Sequence, residues 1–213
     1  MPGSAPWTAH NRAHAWLLTH AGSAHDRIVA DRKRLLLGRL EGDICEIGPG
    51  AGVNFGYYPR GSTVVCIEPN PYLVGPAREA ARRHGIHARF AIAQGERLPL
   101  PAASCDTVVC TLVLCSVQDQ TMVLSEILRV LKPGGTFRFV EHVGAGCGSG
   151  LRWVQRVIKP LWALAGDGCE PDRDTASALR GSGLELVQMD AFTVGVPIVG
   201  PHIAGIARKS VRG

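Results

Sequence analysis

The sequence predicts an α/β fold built on a doubly wound, mostly parallel sheet of seven strands. Three observations lead there. Short apolar runs rich in β-branched residues, such as Asp43–Ile47 and Thr63–Ile67, alternate with segments of helical period. The runs are close to continuously apolar, as strands covered on both faces are. The first run passes into a glycine-rich turn, Gly48-Pro49-Gly50-Ala51-Gly52, where the backbone can approach a ligand because no Cβ stands in the way.

The elements follow in order. Residues Met1–Pro6 carry no pattern and are expected to be disordered. From Trp7 to Leu40 there are no strand signals, and the spacing of Trp16, Leu17, Leu18, Ile28, Val29, Leu35, Leu36 and Leu37 suggests helices broken at Gly22-Ser23. Strand one is Asp43–Ile47, followed by a helix from Val53 to Tyr58; strand two is Thr63–Ile67. A helix from Tyr72 to His84 has Pro71 suited to its first turn. Strand three is His87–Ile92 and strand four Thr107–Thr111, inside the apolar run Asp106–Leu114. A helix over Gln120–Leu131 stops at Pro133-Gly134-Gly135, since Pro cannot continue it and Gly takes the left-handed turn. Strand five is Thr136–Glu141. A loop over Gly144–Gly150 precedes an apolar helix from Leu151 to Leu164, and Asp172 is read as the cap of a helix through Leu179. Strand six is Leu184–Asp190 and the last strand His202–Ala207. No internal repeat or low-complexity linker divides the chain. Residues 1–40 form an N-terminal helical extension, and 41–213 one ligand-binding domain.

Composition narrows the function classes. A chain of 213 residues is long enough for one α/β domain with a full core. No run approaches the ~18 apolar residues of a membrane span, and Trp16-Leu17-Leu18 is too short for a signal peptide. A cytoplasmic protein with no stable membrane insertion is expected. The net charge is +5, but the positive residues are scattered apart from Arg32-Lys33-Arg34 and Arg82-Arg83. Without a basic stripe or interleaved aromatics, no nucleic-acid partner is expected. Of seven cysteines, Cys45, Cys66, Cys105, Cys110 and Cys115 lie in or beside apolar strands and read as reduced core thiols. No Cys-x-x-Cys or Cys/His spacing fits zinc, so no metal is expected. Cys115, at the end of strand four, and Cys169, in a loop on the same side, are the two cysteines placed for a direct role. The histidines His10, His14, His20 and His25 of the extension read as surface or packing residues. Nothing in the sequence sets an oligomeric state.

The glycine turn and the second strand together describe a nucleoside pocket. Glu68 ends strand two, 20 residues past Gly48, where a carboxylate accepts the two hydroxyls of a ribose. The dinucleotide pattern G-x-G-x-x-G fails, because Val53 stands at the third glycine position. What stands instead is Glu46-x-Gly48-x-Gly50-x-Gly52. With Gln94-Gly95-Glu96-Arg97-Leu98-Pro99, the strand Asp106–Leu114 and Glu126-x-x-Arg129-Val130-Leu131-Lys132-Pro133-Gly134-Gly135, it resembles the ordered motifs of the class I S-adenosylmethionine-dependent methyltransferases over about residues 35–209.

That resemblance implies a Rossmann-like fold, S-adenosylmethionine as cofactor with S-adenosylhomocysteine as product, and an N-terminal extension folded over the site. It places Glu46 at the base of the loop, to orient it or to meet the cofactor ammonium through water. It implies backbone N–H groups of Gly48, Gly50 and Gly52 around the cofactor, Glu68 on the ribose with Pro69 and Asn70 at its edge, and Gln94, Gly95 and Glu96 near the adenine. The Thr111 carbonyl falls to the methionyl ammonium, and Asn54, Leu112 and Cys115 complete the expected set.

A narrower resemblance rests on Glu68-Pro69-Asn70-Pro71, Cys110-Thr111-Leu112-Val113-Leu114-Cys115-Ser116-Val117, Phe139-Val140-Glu141-His142-Val143, Asp167-Gly168-Cys169 and Pro201-His202-Ile203-x-Gly205-x-Ala207-x-Lys209. These stretches are similar to the alkyl-thiol S-methyltransferases, the methyltransferase-like 7 group. The resemblance implies methyl transfer to a small-molecule acceptor, a thiol first and a phenol, quinol or other small metabolite as the alternative O- or C-acceptor. Members of that group carry an N-terminal membrane-anchoring segment, and no comparable one is read here. His142, after strand five, is the first candidate for general base or orienter, His202 the second, and Asp167 the residue to hold a histidine tautomer. Trp153, Leu161 and Trp162 are expected to pack rather than form an aromatic cage. A dehydrogenase is disfavoured by Val53, a non-catalytic module by the intact loop with Glu68, and an RNA or protein methyltransferase by the missing basic stripe and Asn-Pro-Pro-Tyr tetrapeptide.

Overall fold

The computed structural model describes residues 11–13, 15, 16, 19, 26–166 and 168–211. Helix α1 spans Ala30–Leu37, and strand β1 Ile44–Ile47. A 3-10 helix, Val53–Tyr57, leads to β2, Thr63–Ile67. Helix α2 is Pro71–His84, then come β3, His87–Ala91, and β4, Cys105–Thr111. Helix α3, Gln120–Val130, runs into β5, Leu131–His142. Helices α4, Gly150–Ala165, and α5, Thr175–Arg180, precede β6, Glu185–Thr193, and β7, Pro201–Arg208.

The seven strands form one sheet in the order β3-β2-β1-β4-β5-β7-β6. The first five are parallel, and β7 runs antiparallel to both β5 and β6. The chain leaves β1 toward β2 on one side and returns to β4 on the other. The order therefore reverses between β1 and β4, and such a switch point opens a crevice at the carboxyl ends of the strands.

Alternation along the strands divides the core in two. On one face Cys45, Ile47, Val108, Cys110, Phe137 and Phe139 meet Val123, Leu124 and Ile127 of α3 and Leu179 of α5. On the other, Ile44, Val64, Cys66, Val109 and Val140 meet Leu36 and Leu37 of α1, Phe55, and Ala77, Ala80 and Ala81 of α2. The alanines let α2 lie close to the sheet.

The helix ends have local causes. Asn70 caps α2 by accepting from the Tyr72 N–H at 3.1 Å, and Pro71 fills the first turn. Arg82, Arg83 and His84 occupy the last turn, where cations complement the helix dipole. Asp119 caps α3 through the N–H groups of Thr121 and Met122.

Several expectations shift. The Val53 helix is a 3-10 turn ending at Tyr57. Strand β3 ends at Ala91. Strand β4 begins at Cys105 and stops at Thr111, short of Leu114. The chain is already extended at Leu131, which pairs with Cys105, so the Pro-Gly-Gly stretch lies within β5 rather than ahead of it. Strand β6 starts one residue later than expected and reaches Thr193. Asp174, not Asp172, caps α5, accepting from the Ser177 N–H at 3.1 Å, while Asp172 pairs with Lys159 at 3.4 Å. Trp153 and Leu161 are exposed on the outer row of α4, against the expectation that they pack. Helix α4 is instead held by buried Gln155, which accepts from the Ala145 N–H and donates to the Ile198 carbonyl. The expected disorder at Met1–Pro6, the Gly22-Ser23 break and His10, His14, His20 and His25 lie outside the described residues.

Candidate active site

Strand β1 delivers the chain into the glycine turn at the switch point. Gly48 takes φ +63°, and a Cβ there would sit 2.5 Å from Val113 Cγ2, so both backbone and space call for glycine. Gly50 takes φ +57°, with open space where a Cβ would be. That space belongs to a cleft of about 420 Å³.

Gly48, Gly50, Glu68, Pro69, Asn70, Gln94, Gly95, Glu96 and Leu112 all line this cleft. The turn is held from below and from the side. Glu68 accepts from the Gly50 N–H at 3.1 Å through one oxygen and from the Asn70 N–H at 2.9 Å through the other. A carboxylate has about four acceptor sites, so the same group can hold the turn and still receive hydroxyls. Glu96 accepts from the N–H groups of Gln118 and Asp119, tying the segment Gln94–Glu96 to the loop after β4. Leu112, the first residue past β4, takes φ +57°, a strained conformation for a residue with a Cβ. Its N–H is held by the Val140 carbonyl.

Glu46, Gly52, Asn54, Thr111 and Cys115 do not line the cleft. Glu46 is fully buried beneath the turn, accepting from Asn54 Nδ2 at 2.7 Å and from the Tyr58 hydroxyl at 2.8 Å. Asn54 Nδ2 also donates to Thr111 Oγ1 at 2.9 Å. This network joins β1, the 3-10 helix and the end of β4. Burial pushes the Glu46 carboxyl up to about 7, against the two donors that favour its charged form. Glu141 is equally buried under the residues after β4, accepting from the Val113 N–H at 3.1 Å, and burial pushes it also to about 7.

The histidines lie at the neighbouring carboxyl end of β5. His142 is buried, and its Nε2 stands 3.0 Å from Cys169 Sγ. The Trp162 indole N–H reaches the same sulfur at 3.4 Å. The ligand atoms of Cys115, His142 and Cys169 all lie within 4.8 Å of one another. Cys169 is held down to about 4 by the Cys115 thiol, which keeps its own proton, with help from His142 and Trp162 and against burial. His202 pairs with His142 across β5 and β7, with ring centroids 6.2 Å apart. Its Nδ1 donates to the Gly200 carbonyl at 2.9 Å, which orients the ring against Phe192. Neither histidine lines the cleft. Asp167 lies outside the described residues.

Sequence reasoning missed other cleft residues: Asn11, Ile47, Leu73, Val113, Ser116, Val117, Gln118 and Gly166. Ser116 to Gln118 were findable, because they follow the carboxyl end of a strand beside the switch point. Asn11 and Gly166 were not, since only the tertiary fold brings them there. The Asn11 carbonyl accepts from Asn70 Nδ2 at 3.0 Å, so residue 11 sits directly over the cap of α2.

Residues 45–139 match the model of the methyltransferase domain family. The chain is 39% identical over 196 residues to the thiol S-methyltransferase TMT1A of Homo sapiens, covering 85% of this chain and 80% of that protein. It is 43% identical over 175 residues to the thiol S-methyltransferase TMT1B of Rattus norvegicus, covering 78% and 70%. Among solved structures it resembles geranyl diphosphate C-methyltransferase of Streptomyces coelicolor, crystallised with S-adenosyl-L-homocysteine. The TM-score is 0.65 at 15% identity, over 97% of this chain and 86% of that one.

Proposed function

We propose, from the premise that this chain belongs to the class I S-adenosylmethionine-dependent methyltransferases, in the group of the thiol S-methyltransferases, that its methyl acceptor is the sulfur of a small thiol. The chain is a methyltransferase that uses S-adenosylmethionine and releases S-adenosylhomocysteine. The observation that carries the thiol is 39% identity along 80% of a protein named for that acceptor.

The cleft suits the division of labour such a reaction needs. The glycine turn borders the cofactor's amino-acid end by close backbone approach, but against expectation the Gly48, Gly50 and Gly52 N–H groups are given to the Ile67 carbonyl, Glu68 and the Pro49 carbonyl; Glu68 is assigned the ribose, and Gln94 and Gly95 the adenine. Glu46, Gly52, Asn54 and Thr111 act from beneath, by fixing the turn. The attack is a displacement: a sulfur lone pair forms the bond to the methyl carbon while the C–S bond of the sulfonium breaks and its electron pair neutralises that sulfur. The methyl group is activated by the positive sulfur alone, so the protein must align the thiolate and exclude water. His142, with His202 beside it and Asp167 two residues before Cys169, is assigned to the acceptor side, and residues 1–40 to closing the cleft from above. No helix among the described residues is long and apolar enough to cross a membrane. Five buried free thiols suit a reducing compartment, and we place the protein in the cytoplasm without a nucleic-acid partner.

The test is transfer of a labelled methyl group to a panel of small thiols, phenols, quinols and amines. Thiols are expected to turn over best. Turnover of phenols or quinols with none on any thiol replaces this reading by O- or C-methylation.

A further inference from the structure

Three soft donors converge beside the cleft. Cys115 comes from the turn after β4, His142 from the end of β5 and Cys169 from the loop after α4. Their spacing along the chain gives no hint of this, but their ligand atoms all lie within 4.8 Å of one another. We infer that Cys115, His142 and Cys169 form a site for a zinc-like divalent cation whose fourth position takes the acceptor thiol.

The donor set fits the ion. Two cysteines and one histidine with one exchangeable position is a known catalytic arrangement for zinc. A tetrahedral ion at normal bond lengths holds its ligand atoms about 3.5–4 Å apart. The 3.0 Å contact between His142 Nε2 and Cys169 Sγ has to open by roughly half an ångström to admit it. Cys169 sits on a loop, where such a shift is small.

The surroundings also fit. His142 is 4% exposed and turns its Nε2 into the cluster, against Cys169 Sγ. The Trp162 N–H on Cys169 Sγ is the kind of outer hydrogen bond that steadies a ligating thiolate. The Glu170 N–H donates to the Cys115 carbonyl at 2.9 Å and fixes the two cysteine segments to each other. Cys115 and His142 are buried and Cys169 is partly exposed, and Ser116 and Gly166, against Cys115 and Cys169, line the cleft.

The chemistry balances without an oxidant. The acceptor R–SH binds the ion and releases its proton to water, leaving a coordinated thiolate. Its remaining lone pair takes the methyl group as the sulfonium C–S bond breaks. The product is a neutral thioether, a weaker ligand, which leaves and frees the position. This inference rests on the thiol reading, and it explains how a thiol is chosen over a phenol: a soft position beside two thiolates prefers sulfur.

The experiment titrates the reduced, chelator-stripped protein with zinc against a chromophoric chelator, and separately with cobalt(II). One equivalent is expected to bind. Loss of an outer partner at such sites costs about 10–100-fold in affinity, so Cys169→Ala and His142→Ala are each expected to cost more than about 100-fold. Cys169→Ala is the decisive variant because its loop position spares the fold, which a melting curve checks. The cobalt form should show thiolate-to-metal charge transfer, and the band should shift when a substrate thiol is added. Zinc affinity equal to that of a Cys115→Ala/Cys169→Ala double variant overturns the site. So does a Cys115–Cys169 disulfide that forms with no metal uptake. Full-rate thiol methylation by the stripped enzyme overturns the inference and leaves the thiol reading standing. Tight zinc with an unshifted cobalt band and no thiol turnover overturns the thiol reading and the fourth-ligand role together.

Discussion

Glu46 on β1 and Glu68 at the end of the neighbouring β2 illustrate two uses of a carboxylate. Glu68 is at the cleft, with each oxygen already receiving one backbone N–H. Glu68→Ala removes acceptors for the ribose and loosens the turn at Gly50. Cofactor affinity measured by calorimetry should fall by about 1.5–3 kcal/mol, the scale of hydrogen bonds to a charged group. Unchanged affinity in the folded variant removes Glu68 from the ribose. Glu46 is buried, and its carboxyl lies near 7 in the folded protein against 4.5 as the ordinary value. Between those limits the folded protein keeps a proton that the unfolded chain has lost. Its stabilising effect is complete below pH 4.5, fades as pH rises through 7, and is then flat, a change on the order of 3 kcal/mol. Glu46→Gln carries no such proton, so its melting temperature should gain on the wild type across that window. A constant gap from pH 4.5 to 8 shows that burial does not raise the Glu46 carboxyl. Glu68 was legible in sequence as a strand-ending carboxylate. The burial of Glu46 under Asn54 and Tyr58 was not, because nothing local to Glu46 says which way its strand faces.

At the scale of elements, α1 is bolted to the 3-10 helix that follows the glycine turn through one acid. Lys33 of α1 is almost fully buried, and its ammonium meets Asp26 at 2.8 Å. Asp26 also accepts from the Tyr57 hydroxyl at 2.6 Å, at the end of the 3-10 helix that follows the glycines. Asp26→Ala leaves a buried ammonium without its anion, which costs roughly 3–5 kcal/mol. Lys33→Met removes the charge that needs the partner and should cost less. Urea midpoints for the two variants check this, and equal losses would mean the pair matters only through packing. The element types themselves were legible, because the strands are apolar runs and the helices carry caps such as Asn70 and Asp119. Boundaries were less so. Leu131 reads as the last apolar residue of a helix but is drawn into β5 by pairing with Cys105, a tertiary interaction absent from local pattern. Asp172 and Asp174 are equally good caps in sequence, and Lys159 decides between them by taking Asp172.

For the molecule as a whole, legibility follows the distance along the chain between the parts of a site. The cleft is lined by short stretches at Gly48–Gly50, Glu68–Asn70 and Gln94–Glu96, each of which carries a motif that sequence singles out. The Cys115, His142 and Cys169 cluster joins three single residues, each of which reads alone as a core thiol or a stray histidine. Ligand binding provides a global check on the first kind of site. The turn, the end of β2 and the loop after β4 meet only in the folded protein, so a molecule that fits the cleft binds the native state alone. At a concentration 100 times its dissociation constant such a ligand adds about 2.7 kcal/mol of stability. For a domain of this size each kcal/mol moves the midpoint by about 2–4 °C, so S-adenosylmethionine or S-adenosylhomocysteine should raise it by roughly 5–10 °C. NAD at the same concentration should leave it where it is, since Val53 replaces the glycine that lets the helix pack closely on the strand in a dinucleotide fingerprint. A shift with NAD and none with the sulfonium would mean that the cleft reads a dinucleotide, and the assignment of the glycine turn would have to be reversed.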